Sequence, residues 1–182
     1  MKRAFLLLSF LAFGLYLMAQ PVARNYVLLE IGTGCWCYYC TGAAMGADDL
    51  IANGDPVAVC ENHNGDPFAT TDSDARNSYY GITGYPTAWF DGSYDKHVGG
   101  DHTQSLYSTY KPIVDARIDM DADFTLDIYG TNDGDEYDIT LRIEDVNSYS
   151  GDNIWLRFAL TESEIDYVWQ GMDEVNFVNR LM

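Results

Sequence analysis

Hydrophobic and polar positions change period along this chain, and the changes mark its elements. Tyr26 to Ile31 is a short apolar run suited to a buried parallel strand, and Gly32-Thr33-Gly34 breaks it. Ala43, Ala44, Met45, Ala47, Leu50 and Ile51 then follow a helical spacing, ended by Asn53-Gly54-Asp55-Pro56. Val57 to Cys60 predicts a second strand, and Asn62 to Pro67 a polar loop. Thr71 to Tyr80 predicts a helix, with Thr70, Thr71 or Asp72 as its cap. Thr87 to Phe90, a turn at Asp91-Gly92 and Tyr94 to Val98 predict a hairpin. A third helix is expected from about Thr103 to Ile118. The order β-α-β-α-β-β-α implies a central sheet with helices on both faces.

Beyond residue 118 the period falls to two. Phe124, Leu126 and Ile128 share one face of a strand, Asn132 to Asp135 make a turn, and Tyr137, Ile139, Leu141 and Ile143 share a face of the next. Ile154, Leu156, Phe158 and Leu160 predict a third strand. Three such strands are expected to form part of an Ig-like β-sandwich. The chain stops soon after the apolar Val175, Phe177 and Val178. The sandwich is therefore expected to be truncated, its remaining strands lying beyond Met182. The expected division is 1–19, 20–118 and 119–182.

Residues 1–19 read as a signal peptide. Lys2 and Arg3 precede an apolar run from Ala4 to Met18, and Ala19 offers a small residue for cleavage. The run is short for a span of ~20 residues. Export to the periplasm, the outer-membrane surface or the medium is expected, where disulfides persist.

The formal net charge is −18, from 28 acidic and 10 basic side chains. That balance excludes nucleic acid as a partner, because phosphate binding needs clustered Lys and Arg. The acids concentrate in the second half, which carries −13 over residues 119–182 against −7 over residues 21–118. Asp119, Asp121, Asp123 and the run Asp133 to Asp138 do not make a calcium loop. Counted from Asp119, position six is Phe124 and position twelve is Gly130, where an EF-hand needs Gly and Glu. They read as a solvated acidic face.

All four cysteines lie in the first half. Residues 33–42 contain Trp36-Cys37-Tyr38-Tyr39-Cys40, a W-C-x-x-C placed after a strand and at the opening of a helix. A thiolate at Cys37 would meet free N–H groups and the helix dipole, which favour negative charge. Cys40, one turn on, could attack a mixed disulfide on Cys37 and release the partner. Gly84-Tyr85-Pro86-Thr87 precedes a strand, where a proline belongs. A cis Tyr85–Pro86 bond would bring that loop beside the cysteines and offer an edge to an extended peptide.

In this order and spacing, residues 25–118 resemble the thioredoxin-like superfamily. Gly32-Thr33-Gly34, Gly42-Ala43-Ala44 and Tyr79 to Thr87 resemble a branch of exported bacterial outer-membrane or surface proteins, in which such a domain precedes β-rich domains. The resemblance implies a thioredoxin fold, Cys37 and Cys40 as attacking and resolving thiols, and Pro86 as a cis-proline. It implies a thiol–disulfide oxidoreductase with protein thiols and disulfides as partners and no cofactor beyond the redox-active pair. Trp36, Tyr85 and Pro86 would shape the docking edge. The chain departs from the pattern twice. Thr41 follows the second cysteine where the superfamily often has Pro, and Ile31 stands where thioredoxins proper have a buried acid. Glu30, next to it, belongs to the other face of the strand.

Other readings stay open. Cys35 and Cys60 are candidates for a structural disulfide, with a free, packed Cys60 as the alternative. Cys35 could also compete with Cys40 for Cys37. Cys35, Cys37, Cys40, Cys60 and His63 together could take Cu(I) or Zn(II), though the spacing fits no standard zinc pattern and no metal is assigned. His63, His97 and His102 read as surface loop residues, and Trp155 and Tyr167 as core or rim. The rival to an enzyme is a redox-inactive surface module, in which the cysteines staple the fold and the acidic β region binds a cell-surface partner.

Overall fold

The computed structural model describes residues 21–151, 153–163, 165–169, 175–177 and 180–181. The expected signal peptide lies outside them. Among the described residues no helix is long and apolar enough to cross a membrane.

The chain runs β1 (Val27–Thr33), α1 (Cys40–Ala52), β2 (Val57–His63), α2 (Thr71–Tyr79), β3 (Thr87–Phe90), β4 (Asp95–Val98) and α3 (Tyr107–Ile118). It continues through β5 (Phe124–Asp133), β6 (Glu136–Asp145), β7 (Thr161–Glu162), β8 (Ile165–Tyr167), β9 (Val175–Phe177) and β10 (Arg180–Leu181). Six strands form one mixed sheet in the order β4-β3-β1-β2-β10-β7. β1 and β2 are parallel, in a register that sets Val27 beside Val57 and Thr33 beside His63. β3 runs antiparallel to β1, and β4 to β3. The result is an α/β fold with helices on both faces of the sheet.

Strand alternation decides which residues meet which helix. Val27, Leu29, Ile31, Val57, Val59, Ala88 and Phe90 form a core with Ala43, Ala47 and Leu50 of α1 and Tyr110 and Val114 of α3. A fully buried Leu or Ile here contributes about 1.5–3 kcal/mol. The alternate positions face α2, where Glu30 meets Arg76, the Asn62 carbonyl accepts from Asn77, and Trp89 stacks on Tyr80. α2 is closed by a capping box between Thr70 and Ser73.

α3 starts later than its pattern predicts. The Asp101 carboxylate takes the N–H groups of Thr103 and Gln104, and the Leu106 N–H bonds the Gly42 carbonyl, so residues 101–106 dock on α1 before the helix begins.

The second half differs from the expected sandwich. β5 and β6 form a ten-rung hairpin in which Leu126 faces Ile143 and Ile128 faces Leu141. Gly134, at the first of two turn residues, has φ +64°. No second sheet covers this hairpin among the described residues, and Leu126 and Ile128 are 62% and 63% exposed. Residues 153–160, the expected third strand, join no ladder, and Ile154, Leu156, Phe158 and Leu160 are exposed. β10 instead pairs with β2, and β7 with β10. The edge of β2 had free backbone groups to offer, which is what an added strand needs.

Candidate functional site

The C-terminal ends of β1 and β2 bring the candidate residues together. β1 stops at Thr33, and the Cys37 N–H closes a turn on the Gly34 carbonyl at 2.9 Å. A Cβ on Gly34 would lie 2.6 Å from the Trp36 indole nitrogen, so only glycine leaves room for that ring. The indole donates to the Asn64 carbonyl at 2.6 Å. α1 begins at Cys40 with no side-chain cap, so its first-turn N–H groups need other partners. The Cys40 N–H donates to the Cys37 carbonyl, and the Gly42 N–H to the Asp101 carbonyl at 2.9 Å. Thr41 uses its hydroxyl to hold the His102 carbonyl at 2.6 Å.

Cys37 and Cys40 are joined as a disulfide, with Cα atoms 5.3 Å apart. The Tyr85–Pro86 peptide is cis. Tyr85 packs on the cysteine cluster and sets its ring edge-on to Trp36 at 5.5 Å. Gly100 lies where a Cβ would be 2.1 Å from the Tyr39 carbonyl oxygen and 2.8 Å from Pro86 Cγ, so the prolyl loop closes tightly on the start of α1. Trp36, Cys37, Cys40, Tyr85 and Pro86 therefore share one end of the molecule.

A thiol that exchanges with a partner protein has to be reachable from outside. Here Cys37 is 5% exposed and Cys40 is fully buried. Tyr38 and Tyr39 do not seal the pair: both are about half exposed, and Tyr38 stacks on His102. The cover is the segment around β8. Trp169, fully buried, packs with Cys35, Cys37, Cys40 and Ala44, and Phe68, Tyr85 and Ile165 border that cluster. Tyr167 meets Phe68 edge-on at 4.9 Å. Nothing in the local pattern around Trp169 marks it as part of this site.

Cys35 and Cys60 are not bonded to each other; both are buried free thiols. The reason is strand parity. Cys60 and His63 are three residues apart on β2, so their side chains point to opposite faces. Cys35, beyond the end of β1, lies with its sulfur 4.0 Å from His63 Nδ1. Cys60 sits beside Glu30 in the ladder, on the α2 side. Burial and the nearby Glu30 and Glu61 push its thiol up to about 12. A cavity of about 510 Å³ lined by Leu28, Glu30, Cys60, Arg76, Tyr79 and Phe158 opens on that same side, away from the disulfide.

His63 is not a surface loop residue. β2 runs to His63, and Glu61 and His63 continue the inward alternation of Val57 and Val59. Period two, extended past Cys60, was the available signal. His63 Nδ1 is 2.6 Å from Asp66 Oδ2, and Nε2 is 3.7 Å from a Glu61 oxygen. Burial opposes charge on the imidazole, but the bond to Asp66 and the nearby Cys35 and Glu61 outweigh it and raise the pKa to about 11. Asp66 is partly buried as a residue, with its side chain nearly inaccessible. The imidazolium, with the N–H groups of Cys35 and Phe68, holds its carboxyl below the usual range. Glu61 goes the other way, raised by complete burial, and neither of its oxygens accepts a hydrogen bond among the described residues. Asp48 on α1 is raised to about 7 by burial, then by Glu61 and Asp49.

Of the expected soft-metal set, Cys35 and His63 come together, with Asp66 added. Cys37 and Cys40 are consumed in their disulfide, and Cys60 faces away. The 2.6 Å between His63 and Asp66 is a hydrogen-bond length. It is shorter than the roughly 3.3 Å between two donors on a tetrahedral zinc with bonds of ~2.0 Å. Asp66 and Glu61 were not singled out from the sequence. His97 lies on β4 and His102 in the loop before α3, both partly buried.

No protein-family model and no curated protein matches the chain. Among solved structures it is similar to an Agrobacterium tumefaciens protein determined by X-ray crystallography in a structural genomics programme. The identity is 17%, over 88% of this chain and 72% of that one, with a TM-score of 0.57. It is also similar to HBP35 of Porphyromonas gingivalis, at 19% identity over 62% of this chain, with a TM-score of 0.44. The chain spans 39% of the length of HBP35. The first likeness shows a shared α/β fold.

Proposed function

We propose that this chain is an exported, thioredoxin-like thiol–disulfide oxidoreductase acting on protein cysteines. The observation that carries the reading is the Cys37–Cys40 disulfide at the opening of α1, with Trp36 and the Tyr85–Pro86 loop beside it. In the reduced form, Cys37 thiolate attacks one sulfur of a partner disulfide, and the other partner sulfur leaves as a thiolate. Cys40 then attacks Cys37 Sγ, expels the second partner thiol and restores the chain's own disulfide. Two electrons pass to the partner, and the pair needs no other cofactor. Trp36, Tyr85 and Pro86 form the edge on which an extended peptide docks.

Access is part of this reading. Trp169 lies on the cysteine cluster, so a partner reaches Cys37 only when the β8 segment lifts. The same burial favours a second reading, a redox-inactive surface module whose disulfide staples the fold and whose β5–β6 region contacts a cell-surface partner. Insulin reduction with dithiothreitol separates the two. Wild type is expected to turn over, Cys37→Ser to lose turnover, and Trp169→Ala to gain several-fold. Equal traces for wild type and Cys37→Ser leave the module reading.

A further inference from the structure

We propose that Cys35 is a third exchange thiol of this site, able to displace Cys40 from Cys37 and to resolve a mixed disulfide on Cys37 in Cys40's stead. The inference rests on reading Cys37–Cys40 as an exchange-active pair, and it adds a branch to that chemistry.

Three observations place Cys35 there. It is a free thiol packed in one buried cluster with Cys37, Cys40 and Trp169. Its backbone is held in the turn that ends at Cys37. The Cys35 N–H donates to Asp66 Oδ2 at 2.8 Å, and the Cys37 N–H to the Gly34 carbonyl at 2.9 Å. Two residues in a turn span less than the roughly 6.7 Å of an extended strand. That brings the Cα atoms of residues 35 and 37 inside the ~4.4–6.8 Å window a disulfide needs. Finally, the Cys35 sulfur lies 4.0 Å from His63 Nδ1, which fixes where it sits; burial, and then Asp66, keep the thiol above its ordinary value against the pull of that imidazolium, so the attack runs through a small thiolate fraction. The protein contains its own control. Cys60 is equally buried and equally free, but it lies on the opposite face of β2, away from the disulfide.

The step balances without an external oxidant. Cys35 gives up its proton and attacks Cys37 Sγ. The Cys37–Cys40 bond breaks, the Cys35–Cys37 bond forms, and Cys40 leaves as a thiolate that takes up a proton. When a partner occupies Cys37, the same attack expels the partner's thiolate instead.

The test uses the full chain carrying Cys40→Ser, alone and combined with Cys35→Ser, in wild-type and Trp169→Ala backgrounds. Each protein is reduced and exposed to glutathione disulfide, and its linkages are mapped by mass spectrometry after alkylation. In Cys40→Ser, glutathione is expected to appear on Cys37 and then leave as a Cys35–Cys37 bond forms. In the double variant it should persist on Cys37 at least about tenfold longer. Cys35→Ala in place of Cys35→Ser guards against a folding defect, with circular dichroism to check each protein. Adding Cys60→Ser to Cys40→Ser should change nothing. Equal persistence of glutathione in Cys40→Ser and the double variant overturns the role of Cys35 and leaves the parent reading standing. Failure of Cys37 to take glutathione in either variant and either background overturns the parent reading, and this one with it.

Discussion

The two faces of the β1–β2 sheet each bury a carboxylate and a cysteine, and they treat them differently. On the α2 side, Glu30 accepts two bonds from Arg76, at 2.6 and 2.7 Å, and a third from the Tyr80 hydroxyl. Every lone-pair direction that matters there has a donor, and Cys60 beside it is an inert, packed thiol. On the α1 side, one rung further, Glu61 is wholly buried, and its contact with His63, at 3.7 Å, is beyond hydrogen-bond length. Arg76 closes the first face electrostatically. The second keeps a charged His63–Asp66 pair beside Cys35, a Glu61 that accepts no hydrogen bond among the described residues, and a raised Asp48 farther along the same face. A complete network stabilises a fold. An incomplete one leaves buried groups whose proton affinity is displaced from the ordinary range.

The sharpest way to break this contrast is to unpair the satisfied face. Arg76→Met leaves Glu30 buried without its guanidinium and should cost about 3 kcal/mol. Urea unfolding at pH 7 measures this. Glu61→Gln replaces a carboxyl that accepts no hydrogen bond among the described residues, and should stay within about 1 kcal/mol of wild type in either direction. Arg76→Met should leave insulin reduction by the folded protein unchanged. If the two substitutions cost the same, the faces do not differ in the way described.

That contrast also explains what could be read in advance. The elements from β1 to α3 were legible because apolar periodicity and Gly, Asn and Pro breakers agree with the tertiary answer. The last three rungs of β2 were not. Glu61, Asn62 and His63 look like a loop by composition, and only the sheet's burial makes them strand. The W-C-x-x-C pair and the prolyl loop stood out because each sits at a strand-to-helix or helix-to-strand junction. Cys35 and Cys60 could not be sorted without knowing where β1 ends, since one residue of parity decides the face. Trp169 was illegible for another reason. It reaches the cysteines across more than 120 residues, and no local pattern encodes such a contact. The third strand of the expected sandwich alternates as a strand should, but alternation supplies a face and not a partner.

A second, smaller effect sharpens the electrostatic half of the comparison. The His63 pKa lies above its unfolded value of ~6.5, at about 11. Between those limits the folded chain holds a proton that the unfolded chain has released. This contribution to stability is therefore full below about pH 6.5 and is lost as pH rises toward 11. Asp66→Asn removes the main partner of that proton. It should lower stability at pH 7 by about 2 kcal/mol and flatten the fall between pH 7 and 9. Denaturant curves at three pH values test this. A variant whose slope with pH matches the wild type would show that His63 is neutral in the fold.

Asp48→Asn probes the outer edge of the same face and should give the smallest change. Asp48 is raised from its ordinary range to about 7, by burial first and then by Glu61 and Asp49. Between about pH 4 and 7 the folded chain keeps this proton longer than the unfolded chain, so stability falls as pH rises through that window. An amide cannot ionise, so the variant should be more stable than wild type above pH 7 by about 1 kcal/mol, a figure reduced for the side chain's partial contact with solvent. At pH 4, where the wild-type acid is protonated, the two should match. If the gain is equal at pH 4.5 and pH 8, it comes from packing, and Asp48 does not feel Glu61. If the gain at pH 8 disappears in a Glu61→Gln background, the two carboxyls are coupled, and the acid array extends from the α1 surface to the His63 side of the sheet.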